Sequence, residues 1–302
     1  YSSHFQSDWQ PCFTSPASID EAVKNITAYL AEHPHVTSIS LTPNDGAGYC
    51  ECENCAKLDS RITPFRAYDR YKDHANSYYY WCNQIIQRLE PKFPELIFGS
   101  LAYRETHFVP DFPVHPKMLV YICIDPGWGL YPDVFDKLKQ DIEQFAGIGA
   151  KVGVWDYSWG DSHYSLPLVY PDHSARMIRL LADNNYRAMF SEGCESLGEG
   201  PKRYLYLKLL EDPYADIEAL KQEWYEACVG KKAAAYLSQY YVFWENFWRE
   251  RASKTAHAEN RHGLYQPINN HFGPYMNGLR KGDSKYLREL MDKVVECADS
   301  DG

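Results

Sequence analysis

The 302-residue chain sets 31 Lys and Arg against 41 Asp and Glu, a formal net charge of −10, with 45% hydrophobic and 24% charged residues. That balance argues against a nucleic-acid partner, which draws most of its affinity from a basic surface. No apolar run approaches the roughly 18 residues that a membrane span needs. An ordinary globular composition remains, long enough for a barrel-sized domain with an appendage.

In chain order, residues 9–13 read as a short strand and 15–18 as a turn and cap. Residues 19–33 follow as an amphipathic helix, with Ile19, Val23, Ile26 and Leu30 at helical spacing. A strand over 36–41 leads into a long connection, 43–65, and a helix over 67–89 that ends before Pro91. Strands over 96–103 and 118–124, a helix over 132–145, a strand over 152–157, a helix over 172–184 and a strand over 186–190 come next. After Gly200 only helices are expected, at 201–211, 213–229, 231–251 and about 284–298. Strands alternating with helices predict a parallel α/β sheet or barrel. The expected fold is a partial TIM (β/α)8 barrel, about strands 3 to 8, in residues 1–200, with a helical extension over 201–302 packed on it. Two strands would then precede Tyr1; a complete six-stranded open sheet is the alternative. The chain starts with Tyr rather than Met and shows no signal-peptide pattern, which fits a removed leader or a piece of a longer protein.

In such a barrel the reactive groups sit at the C-terminal ends of the strands. Those ends read Asn44-Asp45, Tyr103-Arg104-Glu105, Asp125-Pro126-Gly127-Trp128, Trp155-Asp156-Tyr157-Ser158-Trp159 and Ser191-Glu192. A single Asp after a strand commonly forms a turn or a helix cap. Five carboxylates converging on one face among Trp and Tyr fit glycoside hydrolysis, where one carboxyl protonates the leaving oxygen and a second supports an oxocarbenium-like transition state. Aromatics make up 15% of the chain, with 25 Tyr and 8 Trp, and aromatic faces stack on sugar rings or simply fill a core.

Nine cysteines are present, three of them in Cys50-Glu51-Cys52-Glu53-Asn54-Cys55. With Cys12 they supply four corners for a structural zinc; disulfide pairing and independent free thiols are the alternatives. The histidines, His74 and His107 among them, show no metal spacing and read as surface or core residues. There is no phosphate loop, dinucleotide fingerprint or nucleophile elbow.

The run Ser40-Leu41-Thr42-Pro43-Asn44-Asp45-Gly46 followed by Cys50-x-Cys52-x-x-Cys55 resembles the signature of the proteins labelled domain of unknown function 4838, part of which is glycoside hydrolase family 163. Leu101-Ala102-Tyr103, Trp155-Asp156-Tyr157 and Phe190-Ser191-Glu192-Gly193 resemble its later strand ends, and Tyr204–Asp216 the helix beyond. The resemblance implies a TIM-type barrel and a retaining endo-β-N-acetylglucosaminidase acting on N-glycans, with the sugar's own acetamido oxygen as nucleophile. Related hexosaminidases carry Asp-Glu where this chain has Asn44-Asp45, so only one member of the pair ionises.

These considerations give Asp45 as first candidate for general acid or acetamido orienter, Glu192 as its partner and Asp156 as a third carboxylate. Asn44, Tyr103, Trp128, Trp155, Tyr157 and Trp159 are candidates for substrate contacts, and Arg104 for binding an acidic sugar or neutralising the carboxylates. The expected partner is an oligosaccharide or glycan and the expected location secreted, periplasmic or cell-surface. A non-catalytic glycan-binding barrel and an α-glucuronidase-like hydrolase are the alternatives.

Overall fold

The computed structural model describes residues 9–46, 48–60, 72–157, 166–192, 197–255 and 274–299. Helix α1 (Pro16–Glu32) begins with Pro at its first position, where the missing N–H costs nothing. Strand β1 (Ser38–Ser40) precedes the short α2 (Glu53–Leu58) and α3 (Ala75–Leu89). Then come β2 (Ile97–Ala102), β3 (Met118–Ile124), α4 (Pro132–Ala146), β4 (Lys151–Asp156), α5 (Pro171–Asp183) and β5 (Ala188–Ser191). Among the described residues that follow, the longer elements are helices: α6 (Lys202–Glu211), α7 (Ile217–Asn246) and α8 (Asp283–Cys297), with short helical turns at Phe247–Arg251, Ala252–Lys254 and Pro274–Gly278.

All strand pairs are parallel and the sheet order is β1-β2-β3-β4-β5, a curled five-stranded half-barrel. The segment 9–13, expected as a sixth strand, makes only one parallel bridge, Trp9 to Gly48. Its backbone is held by side chains instead of a ladder, as described below.

The chain forms two compact units, each assembled from separate stretches. The first contains the sheet, α1 to α3 and the end of α4. Parallel register puts Phe98, Ser100 and Ala102 in rows with Met118, Val120 and Ile122, then with Val152, Val154 and, beside Ile124, Asp156. This face is sealed by α3: Tyr78 and Tyr79 are fully buried, and the Tyr78 hydroxyl donates to Leu41 O and pairs with the Ser100 hydroxyl. The opposite face carries Leu101, Tyr121, Trp155 and Phe190 and is far more open, with Phe190 47% exposed.

The second unit has its own apolar core, in which Tyr225, Leu237, Trp244, Phe247, Trp248 and Tyr275 pack with Leu168–Tyr170 and with Leu287 and Val294 of α8. Asp216 caps α7 by accepting from the N–H groups of Glu218 and Ala219. Gly230, at φ 78°, kinks α7, which accounts for the two helices expected either side of it. No described helix is long and apolar enough to cross a membrane.

Candidate active site

The C-terminal ends of β1 and β2 lie side by side, since Ser40 pairs with Gly99. Three residues past Ser40, a loop begins that carries Asn44 and Asp45; β2 runs directly into Tyr103, Arg104 and Glu105. Arg104 has φ 52°. A left-handed conformation costs a residue with a side chain on the order of 1–3 kcal/mol and persists only where its surroundings enforce it. From that conformation the Arg104 side chain reaches two carboxyls: Arg104 Nη1 is 3.3 Å from Asp45 Oδ1, and Arg104 Nε is 3.5 Å from Glu105 Oε2. One guanidinium thus serves two carboxyls, so those oxygens are at most about 9 Å apart, which does not exceed the longest span that glycosidase carboxyl pairs use.

The two carboxyls differ in environment. The Asp45 side chain is 81% exposed and that of Glu105 only 8%. Burial raises the Glu105 pKa above the usual carboxylate range; the backbone N–H of Glu105 and the charges of Arg104 and His74 oppose the rise without cancelling it. A buried carboxyl with a raised pKa next to a water-facing one is an arrangement that can separate acid from base.

Tyr49 and His74 complete the wall. Their rings stack at 4.4 Å between centroids. His74 Nδ1 lies 2.9 Å from Asp59 Oδ2, and Asp59 also accepts from Ser77 N at 2.9 Å and Ser77 Oγ at 2.8 Å, so the α2–α3 junction fixes the imidazole. The backbone N–H of His74 donates to Glu105 O at 2.8 Å. Burial, followed by the Glu105 charge, pushes the Tyr49 phenol far above its usual pKa.

The other candidates are placed differently. Asp156 is fully buried and lies on the α3 side of the sheet, in the row of Val152 and Val154. Its strand is three steps from β1, each of about 4.8 Å, so it is not Asp45's immediate neighbour. Trp155 lies on the open face, stacked on Phe190 with centroids 4.1 Å apart. Glu192 directly follows β5 and is half-buried; Tyr157 directly follows β4 and is buried. The Tyr103 ring has the Arg104 guanidinium carbon 6.0 Å from its centroid. Asn44 turns its amide to the backbone, donating to Trp9 O at 2.9 Å. The Trp128 side chain and all of Trp159 lie outside the described residues.

Cys12, Cys50, Cys52 and Cys55 come together, with all four Sγ atoms within 4.8 Å of one another. Cys12 Sγ is 3.7 Å from Cys52 Sγ and 3.8 Å from Cys55 Sγ. Those spacings exceed the about 2.0 Å of a disulfide, and the four cysteines are free thiols. They match the edge of a tetrahedron of thiolates around a metal at about 2.3 Å, which is about 3.8 Å. Cys52 stands at the N-terminus of α2, and its pKa is lowered to about 6, chiefly by the Cys55 backbone N–H and then by the Thr14 hydroxyl. Burial raises Cys55 to about 12. The cluster has the geometry to hold a metal ion.

Glu105, Tyr49, Asp59 and His74 were not singled out by sequence reasoning as functional residues. Glu105 was visible as a strand-end carboxylate, but nothing in the sequence ranked it above the other four. Asp59 and His74 are 15 residues apart with no motif between them. No curated protein matches this chain. A family model does: the domain of unknown function DUF4838 covers residues 2–242. The span includes the whole half-barrel, the Asn44-Asp45 loop and all four clustered cysteines, and the chain belongs to that family.

Proposed function

We propose that the protein is a glycoside hydrolase whose acid is Glu105 and whose second carboxylate is Asp45, with Arg104 orienting both. The observation that carries this reading is the single guanidinium joining a buried carboxyl to an exposed one at adjacent strand ends. The substrate class proposed is a β-N-acetylglucosaminide of an N-glycan. Glu105 gives its proton to the glycosidic oxygen as the bond to C1 breaks. The substrate's acetamido oxygen, oriented by Asp45, closes on C1. Water then attacks C1 and returns a proton to the Glu105 carboxylate.

Ion pairing of Asp45 with Arg104 also suits a non-catalytic glycan-binding protein, and the exposed Phe190 stacked on Trp155 is a ready platform for a sugar ring. The pair does not lock Asp45, however, since ion pairs this exposed contribute about 0–1 kcal/mol. Turnover decides between the two. The full chain is assayed on N-glycans and aryl β-N-acetylglucosaminides beside Asp45→Asn and Glu105→Gln. The expected result is hydrolysis by the wild type and a loss of ~10²–10⁴-fold in each variant. Binding without turnover, or variants as fast as the wild type, would overturn the assignment.

For the four thiols we propose a structural zinc. Four thiolates fill a tetrahedral site and leave no open position for chemistry.

A further inference from the structure

The loop bearing Asn44 and Asp45 has almost no regular structure of its own. Among the described residues between β1 and α2, the one ladder contact is the bridge from Gly48 to Trp9. It is instead clasped by Gln10, a polar residue with no exposed surface. Gln10 Nε2 donates to Asn44 O at 2.6 Å and to Gly46 O at 3.2 Å, and its Oε1 accepts from Asn44 N at 3.0 Å. The Gln10 backbone N–H donates to Gly48 O at 2.9 Å, and Asn44 Nδ2 closes the clasp on Trp9 O.

Two residues after Gln10 comes Cys12; one residue after Tyr49 comes Cys50. The thiol cluster therefore ties together the outer ends of the two segments that Gln10 joins. At that end the Phe13 ring also packs on Tyr49, with centroids 6.1 Å apart, and Thr14 sits 3.2 Å from Cys55 Sγ and 3.8 Å from Cys52 Sγ; among the described residues the polar links between the two segments there all involve a sulfur atom. Thiol-to-thiol hydrogen bonds are weak, whereas a bound metal converts four crowded sulfurs into a rigid joint. Resting on the zinc reading above, we infer that a thiophilic divalent cation held by Cys12, Cys50, Cys52 and Cys55 acts through Gln10 to set the position of the Asn44–Tyr49 loop, and with it of Asp45. The metal is then a positioning element of the active site, joined to it by a chain of hydrogen bonds rather than by contact with substrate.

The test uses the full chain, with zinc and cobalt(II) as probes. Metal content is measured on the purified protein, and amide hydrogen exchange is followed in residues 43–49 before and after a strong chelator, and in Gln10→Ala. Expected are one metal per chain, the visible absorption of tetrahedral cobalt thiolate after exchange, and loss of protection in 43–49 on chelation. Gln10→Ala keeps all four thiols, so it retains the metal yet loses the same protection, and its turnover of an aryl glycoside falls about 10–100-fold. A chain that binds neither zinc nor cobalt overturns both the metal site and this inference. A chain that binds one metal but keeps 43–49 equally protected after chelation, or in Gln10→Ala, overturns this inference alone.

Discussion

The imidazole of His74 lies flat on the phenol of Tyr49, with the two planes 1° from parallel. Asp59 fixes the imidazole from behind through Nδ1, so the stack holds Tyr49 beside Glu105 and Asp45. Because burial raises the phenol far above its usual pKa, its hydroxyl stays a hydrogen-bond donor. Tyr49→Phe preserves the stack and deletes the donor. The expected outcome is a fall of about 10²-fold in kcat/KM, the size of effect that one transition-state donor gives, at unchanged Tm. Wild-type turnover by this variant would show that the hydroxyl does not face the substrate.

Glu105 sets a pH limit on the reaction. Its pKa is raised by burial, so the protonated acid persists above the usual carboxylate range. Activity that needs this proton is full at low pH on this limb and falls as pH rises through the raised value. A pH profile of kcat/KM should therefore show a basic limb that disappears in Glu105→Gln, whose residual rate no longer depends on that proton. A basic limb of the same position in the variant would assign it to another group.

The Trp155–Phe190 pair offers a separate handle, on binding alone. Phe190 is 47% exposed, so Phe190→Ala removes little buried surface and should leave Tm nearly unchanged. If the pair stacks a sugar, the loss of an aromatic contact worth about 0.5–1.5 kcal/mol raises KM about 2- to 13-fold, with kcat preserved. Equal KM values for variant and wild type on a glycan long enough to reach the pair would remove it from the binding surface.

In the second unit, Glu245 is 6% exposed and its carboxyl is pushed up to about 7, by burial first and then by Asp172. Its Oε1 accepts from Asp172 N at 3.1 Å, while Lys221 and Arg249 draw the pKa back. The folded value lies above the unfolded one, so the folded state holds the proton more tightly. Stability is then greatest below the unfolded value of 4.5 and declines as pH rises toward about 7, by on the order of 3 kcal/mol. Glu245→Gln keeps the acceptor and removes the titration. It should raise Tm at pH 8, change it little at pH 4, and flatten the dependence between; urea melts across that range measure it.

The alternation of strands and helices was legible because period-two and period-3.6 patterns are local. Strands β2 to β5 and α8 fall close to where the sequence puts them, and Gly230 marks the break in α7. The segment 9–13 was misread as a strand because it is held by a glutamine side chain and a single bridge to Gly48, partners 34 or more residues away. The thiol cluster was readable because cysteine chemistry has few alternatives, and the sequence already paired Cys12 with the later three. Glu105 was counted among the strand-end carboxylates but not ranked, since burial, not identity, sets it apart from Asp45. Asp156 carried a clue that strand-end reading ignores: adjacent residues on a strand face opposite ways, so Trp155 and Asp156 do not share a face.

That parity makes β4 a two-position selector. Each strand is locked to its neighbours residue by residue, Cys123 to Trp155 and Ile124 to Asp156. One residue inserted into the Gly147–Ala150 turn and accommodated by slippage would move every side chain of β4 across the sheet. The indole would be driven into the buried face of the sheet, and a carboxylate would surface amid the aromatic floor. A length change at the remote end of the strand would thus rewrite the chemistry of the open face while altering none of the residues on it.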